Sequence, residues 1–164
     1  MDFIGNKSLL YLPKYGFLCS RCTKSSVILP CLDWAVERAK GENPVISTFH
    51  SEIEKAVLDM LIPGKCPVIL VLGRSIYKKI PENLQRLLDA NRLLIISVCN
   101  QSRISKDSAY MSNKYICQNS QSLTFGFISN DSSLFSLYEE TKDVPTYLMS
   151  MTEKIRKFMI GQMN

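Results

Sequence analysis

Apolar residues in this chain cluster in short, nearly unbroken runs. Tyr15–Ser20, Pro44–Phe49, Pro67–Arg74, Leu93–Val98 and Leu123–Ile128 are each mainly apolar and are closed by polar residues. Runs of this length without polar alternation fit strands covered on both faces, as in a parallel sheet. Between them the spacing becomes helical. Val27–Lys40 has apolar residues at 28, 31, 32, 35, 36 and 39, with Ser25 or Ser26 as its cap and Gly41 at its end. Ser51 with Glu54 has the form of a capping box, and Ile53, Val57, Leu58 and Leu61 follow on one face until Pro63-Gly64. Pro81-Glu82 opens a third helix through Leu84, Leu87 and Leu88. Helices are also expected over Ser108–Ser120, Leu134–Glu140 and Met151–Met159. Val144–Met149 reads as an edge strand, because Pro145 suits an edge. Residues 1–14 form a lead-in, with a turn at Gly5-Asn6 and with Leu9, Leu10 and Leu12 tucked against the sheet.

Strands alternating with helices through short connections predict parallel pairing and right-handed crossovers. The expected fold is a Rossmann-like α/β three-layer sandwich. It has a mostly parallel sheet of five to six strands, helices on both faces, and one domain spanning 1–164. A working site in such a fold lies at the carboxyl ends of the strands, where Gly73 and Arg74 close the third run.

The composition, 46% hydrophobic and 21% charged, is that of an ordinary globular protein. No apolar run reaches the roughly 18 residues of a membrane helix, and the N-terminus lacks the basic-then-apolar order of a signal peptide. A cytoplasmic protein with no membrane partner is expected. Its six cysteines then read as reduced thiols. The net charge of +5 is compatible with an anionic partner.

Several chemistries lack their residues. There is no GxGxxG and no GxxxxGK[ST], and no paired carboxylates follow the strands. The single histidine, His50, excludes a multi-histidine metal site. Cys19 and Cys22 form a CxxC at a strand end rather than at a helix N-terminus, which reads as two unrelated thiols. No catalytic residue, metal or cofactor is expected.

The candidate chemistry is anion binding. Ser20 and Arg21 follow the first strand, where a hydroxyl and a guanidinium can hold a phosphate. His50 follows the second and Gly73-Arg74 the third. Arg103, Lys106, Asn113 and Lys114 follow the fourth or open its helix. In a parallel sheet all of these fall on one edge, forming a cationic rim. Phe49, Tyr77, Tyr110 and Tyr115 lie near it for base stacking. Taken singly, Arg21 reads equally as a solvent-facing arginine, and His50 reads first as the residue before a helix cap.

Several segments, in order, resemble the Rossmann-like domain of the DNA-processing protein A (DprA) family, part of the SLOG superfamily. Gly5-Asn-Lys-Ser-Leu-Leu10 resembles that family's GNxxLL, and Phe17-Leu-Cys-Ser-Arg21 its strand ending in GSR. Val45–Glu54 resembles its VVSGxAxGID segment, Val68–Gly73 its AVLG strand, and Pro81-Glu-Asn83 its YPxxN. Leu93–Ser97 matches the next strand, Asn113–Ser120 its RNRIIAGLS helix, and Ser132-Ser-Leu134 its GSL. The resemblance covers residues 4–137. Cys19 stands where GSR has glycine, Thr48 and Glu52 replace both glycines of SGxAxG, and Ser112 replaces the arginine before the RN asparagine.

The resemblance implies a non-enzymatic protein of DNA processing, recombination and transformation. Its ligand is single-stranded DNA, or another phosphate-bearing group, in a strand-end pocket. By position, Ser20, Arg21, Asn113 and Lys114 match that pocket. It also implies a RecA-type recombinase as partner and a homodimer. Three other readings stay open. They are a SLOG-type nucleotide or nucleotide-sugar binder, a scaffold that has lost the pocket, and a nucleoside-phosphate hydrolase of the lysine-decarboxylase-like group, whose GGxxGxxxE motif is absent here.

Overall fold

In a computed structural model, which describes residues 1–21 and 24–149, the apolar runs are strands. They are β2 (Tyr15–Leu18), β3 (Val45–Ser47), β4 (Val68–Leu72), β5 (Leu93–Ser97) and β6 (Ser122–Phe125). β7 (Thr146–Leu148) is the expected edge strand. β1 (Asp2–Gly5) is a strand within the segment expected only as a lead-in. Among the described residues the sheet therefore has seven strands, not five or six, in the order β1-β5-β4-β3-β2-β6-β7. β1 runs antiparallel to β5, and every other neighbouring pair is parallel.

The side-chain period of two splits each buried strand between two cores. On β4, Val68, Leu70 and Leu72 face α1 (Ile28–Ala39), α2 (Glu52–Leu61) and α3 (Glu82–Asp89). Ile69 and Val71 face α4 (Lys106–Asn119), α5 (Ser133–Glu140) and Leu9. Complete burial of an aliphatic side chain stabilises by about 1.5–3 kcal/mol, so β4 and β5, buried along their whole length, hold the two helical layers together. The result is the expected three-layer α/β sandwich. No described helix is long and apolar enough to cross a membrane.

Local departures have physical causes. Ser25 opens a 3-10 turn, so neither Ser25 nor Ser26 caps α1, whose N-cap is Val27. On α1 only 31, 35 and 39 are buried and 32 is half-buried, while Ile28 and Val36 are exposed. The buried stripe is narrower than the run of apolar residues implies. Leu9 is buried, but Leu12 is exposed. α4 begins two residues early, at Lys106, because Ser105 and Ser108 form a capping box. Arg92 fixes the end of α2 by donating to the carbonyls of Leu61, Ile62, Lys65 and Cys66. The expected helix Met151–Met159 lies outside the described residues.

Candidate nucleic-acid interface

The strand order runs outward from β2 in both directions: β3, β4 and β5 to one side, β6 and β7 to the other. Connections leaving β2 and β6 therefore diverge and open a crevice at their carboxyl ends. A crevice of about 1090 Å³ lies there, slightly larger than a typical small-ligand site. It is bounded by the loops after β2, β3, β4, β5 and β6.

Eight of the nine residues expected at a phosphate site line it: Ser20, Arg21, His50, Gly73, Arg74, Arg103, Lys106 and Asn113. Lys114 does not; its ammonium sits over the Tyr110 ring, 5.8 Å from the centroid. Ser112 and Asn113 both line the crevice, and the next step of about 100° around α4 carries Lys114 past its edge.

Each lining residue is held differently. Ser20 is buried. Its hydroxyl accepts from the Ser129 N–H at 3.0 Å, and its N–H donates to the Phe127 carbonyl at 2.8 Å. Ser20 thus pins the loops after β2 and β6 together across the switch point. Arg21 is exposed and donates to Nε2 of His50, the two atoms 3.0 Å apart. The Arg74 guanidinium lies 4.9 Å from the centroid of the Tyr77 ring, and its carbonyl accepts from the Ser97 hydroxyl at 2.7 Å. Gly73 serves packing: a Cβ there would stand 2.8 Å from the Ser108 carbonyl oxygen and 2.8 Å from Ser112 Oγ, both on α4.

Glu54 occupies the place where backbone N–H groups could have cradled an anion. Its carboxylate accepts from the N–H of Cys19 at 2.9 Å, of His50 at 2.8 Å and of Ser51 at 3.4 Å. It also accepts from the Thr48 hydroxyl at 2.6 Å. Burial pushes this carboxyl up from its ordinary value, and the four donors pull it back. The α2 and α4 N-termini are likewise capped from within, by Ser51 and Ser105. What these elements leave open to the crevice is therefore side chains rather than backbone N–H groups.

Among the described residues, five cations line the crevice, Arg21, Lys55, Arg74, Arg103 and Lys106, against two carboxylates, Glu54 and Asp131. Among the described residues, Lys55 is paired with Glu52 at 3.0 Å, but Arg21, Arg74, Arg103 and Lys106 are in no ion pair. Desolvation, and then the charges of Arg21, Lys55 and Arg74, hold the His50 imidazole below its ordinary pKa. Lys55 is not among the residues expected from sequence, although its place one turn into α2 follows from the Ser51 cap. Glu54 reads from sequence as a cap only, because no sequence signal joins it to Cys19. Cys19 directly follows β2 and is buried, and Cys22 lies outside the described residues.

No protein-family model matches the chain, and no curated protein matches it by sequence. Its fold is similar to that of DNA processing protein A from Helicobacter pylori, which binds single-stranded DNA. The TM-score is 0.77 at 17% identity, over 98% of this chain and 78% of that one. It is also similar to DprA from Streptococcus pneumoniae, with TM-score 0.71 at 18% identity, over 92% of this chain and 55% of that one. At these identities the likeness is one of fold, and it is the fold expected from the order of the segments.

Proposed function

We propose that this chain binds single-stranded nucleic acid, without catalysis, along the crevice at the strand carboxyl ends. One observation carries the reading: Arg21, Arg74, Arg103 and Lys106 line one crevice with no carboxylate partner among the described residues. Such a field attracts polyanions and concentrates them at the cleft. The Arg74 guanidinium, carried on the Tyr77 ring, offers a planar cation on which a base can stack. The similarity in fold to a protein that binds single-stranded DNA supports the same ligand class.

In this reading Arg21, His50, Arg74, Arg103 and Lys106 contact phosphates, Asn113 lies along the wall, and Ser20 and Gly73 shape the floor. Lys114 contacts the strand only where it leaves the crevice. The protein acts in the cytoplasm as a homodimer with a RecA-type recombinase. The homodimer and the recombinase partner rest on the resemblance of the segments to the DprA family.

Fluorescence anisotropy with a labelled single-stranded oligonucleotide tests the reading. Binding should weaken steeply with salt, with a logarithmic slope of about −0.7 per phosphate contact. A salt-independent affinity, or none at low salt, would rule it out. A thermal shift with mononucleotides but no oligonucleotide binding would instead identify a small-nucleotide site.

A further inference from the structure

His50 is the single histidine of the chain, and it lines the crevice in contact with Arg21. A guanidinium has only donors, so Arg21 donates to His50, and Nε2 is the acceptor. The free imidazole is therefore neutral, with its proton on Nδ1. Protonating Nε2 would set an N–H against an N–H and add a cation to a cationic cluster.

The groups facing His50 make that cost hard to offset from within. Arg21 comes from the loop after β2, Lys55 from α2, and Arg74 from the loop after β4. Arg103, Lys106 and Asp131 lie elsewhere along the crevice. Glu54 accepts the backbone N–H of His50, but its two oxygens are also engaged by Cys19, Thr48 and Ser51. A phosphate oxygen placed between Arg21 and His50 reverses the balance. It accepts from the guanidinium and from a protonated Nε2 together, and its charge offsets the added proton.

We infer that His50 takes up a proton when a phosphate group seats against Arg21, so that binding in the crevice strengthens as the pH falls below neutrality. The inference rests on the proposed phosphate-bearing ligand. Its sign follows from linkage. The imidazole's pKa is lowered in the free protein, and the charge of the seated phosphate raises it. Affinity therefore climbs as pH falls through the bound-state value and levels off below the free-state value. A difference of one pH unit between the two corresponds to about tenfold in affinity.

The test uses the full chain and an oligodeoxythymidylate without terminal phosphates, whose phosphodiesters do not titrate in this range. With one histidine, the imidazole NMR signal reports His50 alone. Its pKa should lie below 6.5 without the oligonucleotide and rise when the oligonucleotide is saturating. Anisotropy should show tighter binding at about pH 5.5 than at about pH 8, and His50→Gln should remove that difference. Binding with an unchanged or lowered imidazole pKa overturns the inference and leaves the nucleic-acid reading standing. No binding at either pH overturns that reading, and this inference with it.

Discussion

The backbone N–H of Cys19 donates to Oε1 of Glu54 at 2.9 Å, across 35 positions of sequence. This bond ties the end of β2 to the first turn of α2 and fixes the loop that carries His50. Glu54→Ala would leave the N–H groups of Cys19 and His50 and the Thr48 hydroxyl without their acceptor and would remove half of a capping box. Each unsatisfied buried donor costs about 1–3 kcal/mol, but water entering from the crevice offsets part of it. A net loss of about 3 kcal/mol is expected in urea unfolding. A loss under about 0.5 kcal/mol would show that the carboxylate is not the keystone of the loop.

Phe49 has φ of 47°, a conformation that L side chains rarely adopt, yet its ring is buried. Relief of the backbone strain is worth about 1 kcal/mol, whereas losing a buried phenylalanine costs about 3–5 kcal/mol. Burial wins, so Phe49→Gly should destabilise. Phe49→Ala removes the same ring but keeps the strain, so it should be the worse of the two. That order is the reverse of the one found where φ is negative. Thermal denaturation of both variants decides it.

Gly73→Ala forces a methyl against the α4 backbone at Ser108. Overpacking of this kind costs about 1–3 kcal/mol. It also displaces the α4 N-terminus, which carries Lys106, so weaker oligonucleotide binding should accompany a lower Tm. Unchanged stability would show that α4 can give way there.

Burial pushes the thiols of Cys31 and Cys117 up to about 12 and that of Cys66 up to about 11. The thiolate is the reactive form, so all three should resist alkylation at about pH 8 until the protein unfolds. Cys99 is only half-buried and should react first among the described cysteines. Mass spectrometry of the labelled native protein reads this directly.

The layers of the fold are legible in the sequence because β4 and β5 are fully buried runs and α2 announces itself through Ser51 and Glu54. β1 is not legible. Its four residues are half exposed, and antiparallel pairing with β5 selects them rather than any local pattern. The α4 cap is hidden because Ser108 replaces the acidic partner that marks a capping box. At the crevice, the order of residues places cations at strand ends but does not say which of them meet. The contact of Arg21 with His50 spans two loops, and the turning away of Lys114 depends on the helical phase of α4.

The central claim is that Arg21 and Arg74 hold phosphates in the strand-end crevice. Anisotropy of single-stranded DNA binding by the Arg21→Ala/Arg74→Ala double variant tests it most directly, with Lys40→Ala at the far end of α1 as control. The double variant should bind at least about tenfold more weakly, with a salt slope shallower by about 0.7 for each phosphate no longer held, and Lys40→Ala should change little. A folded double variant that binds with the affinity and salt slope of the parent would contradict the account.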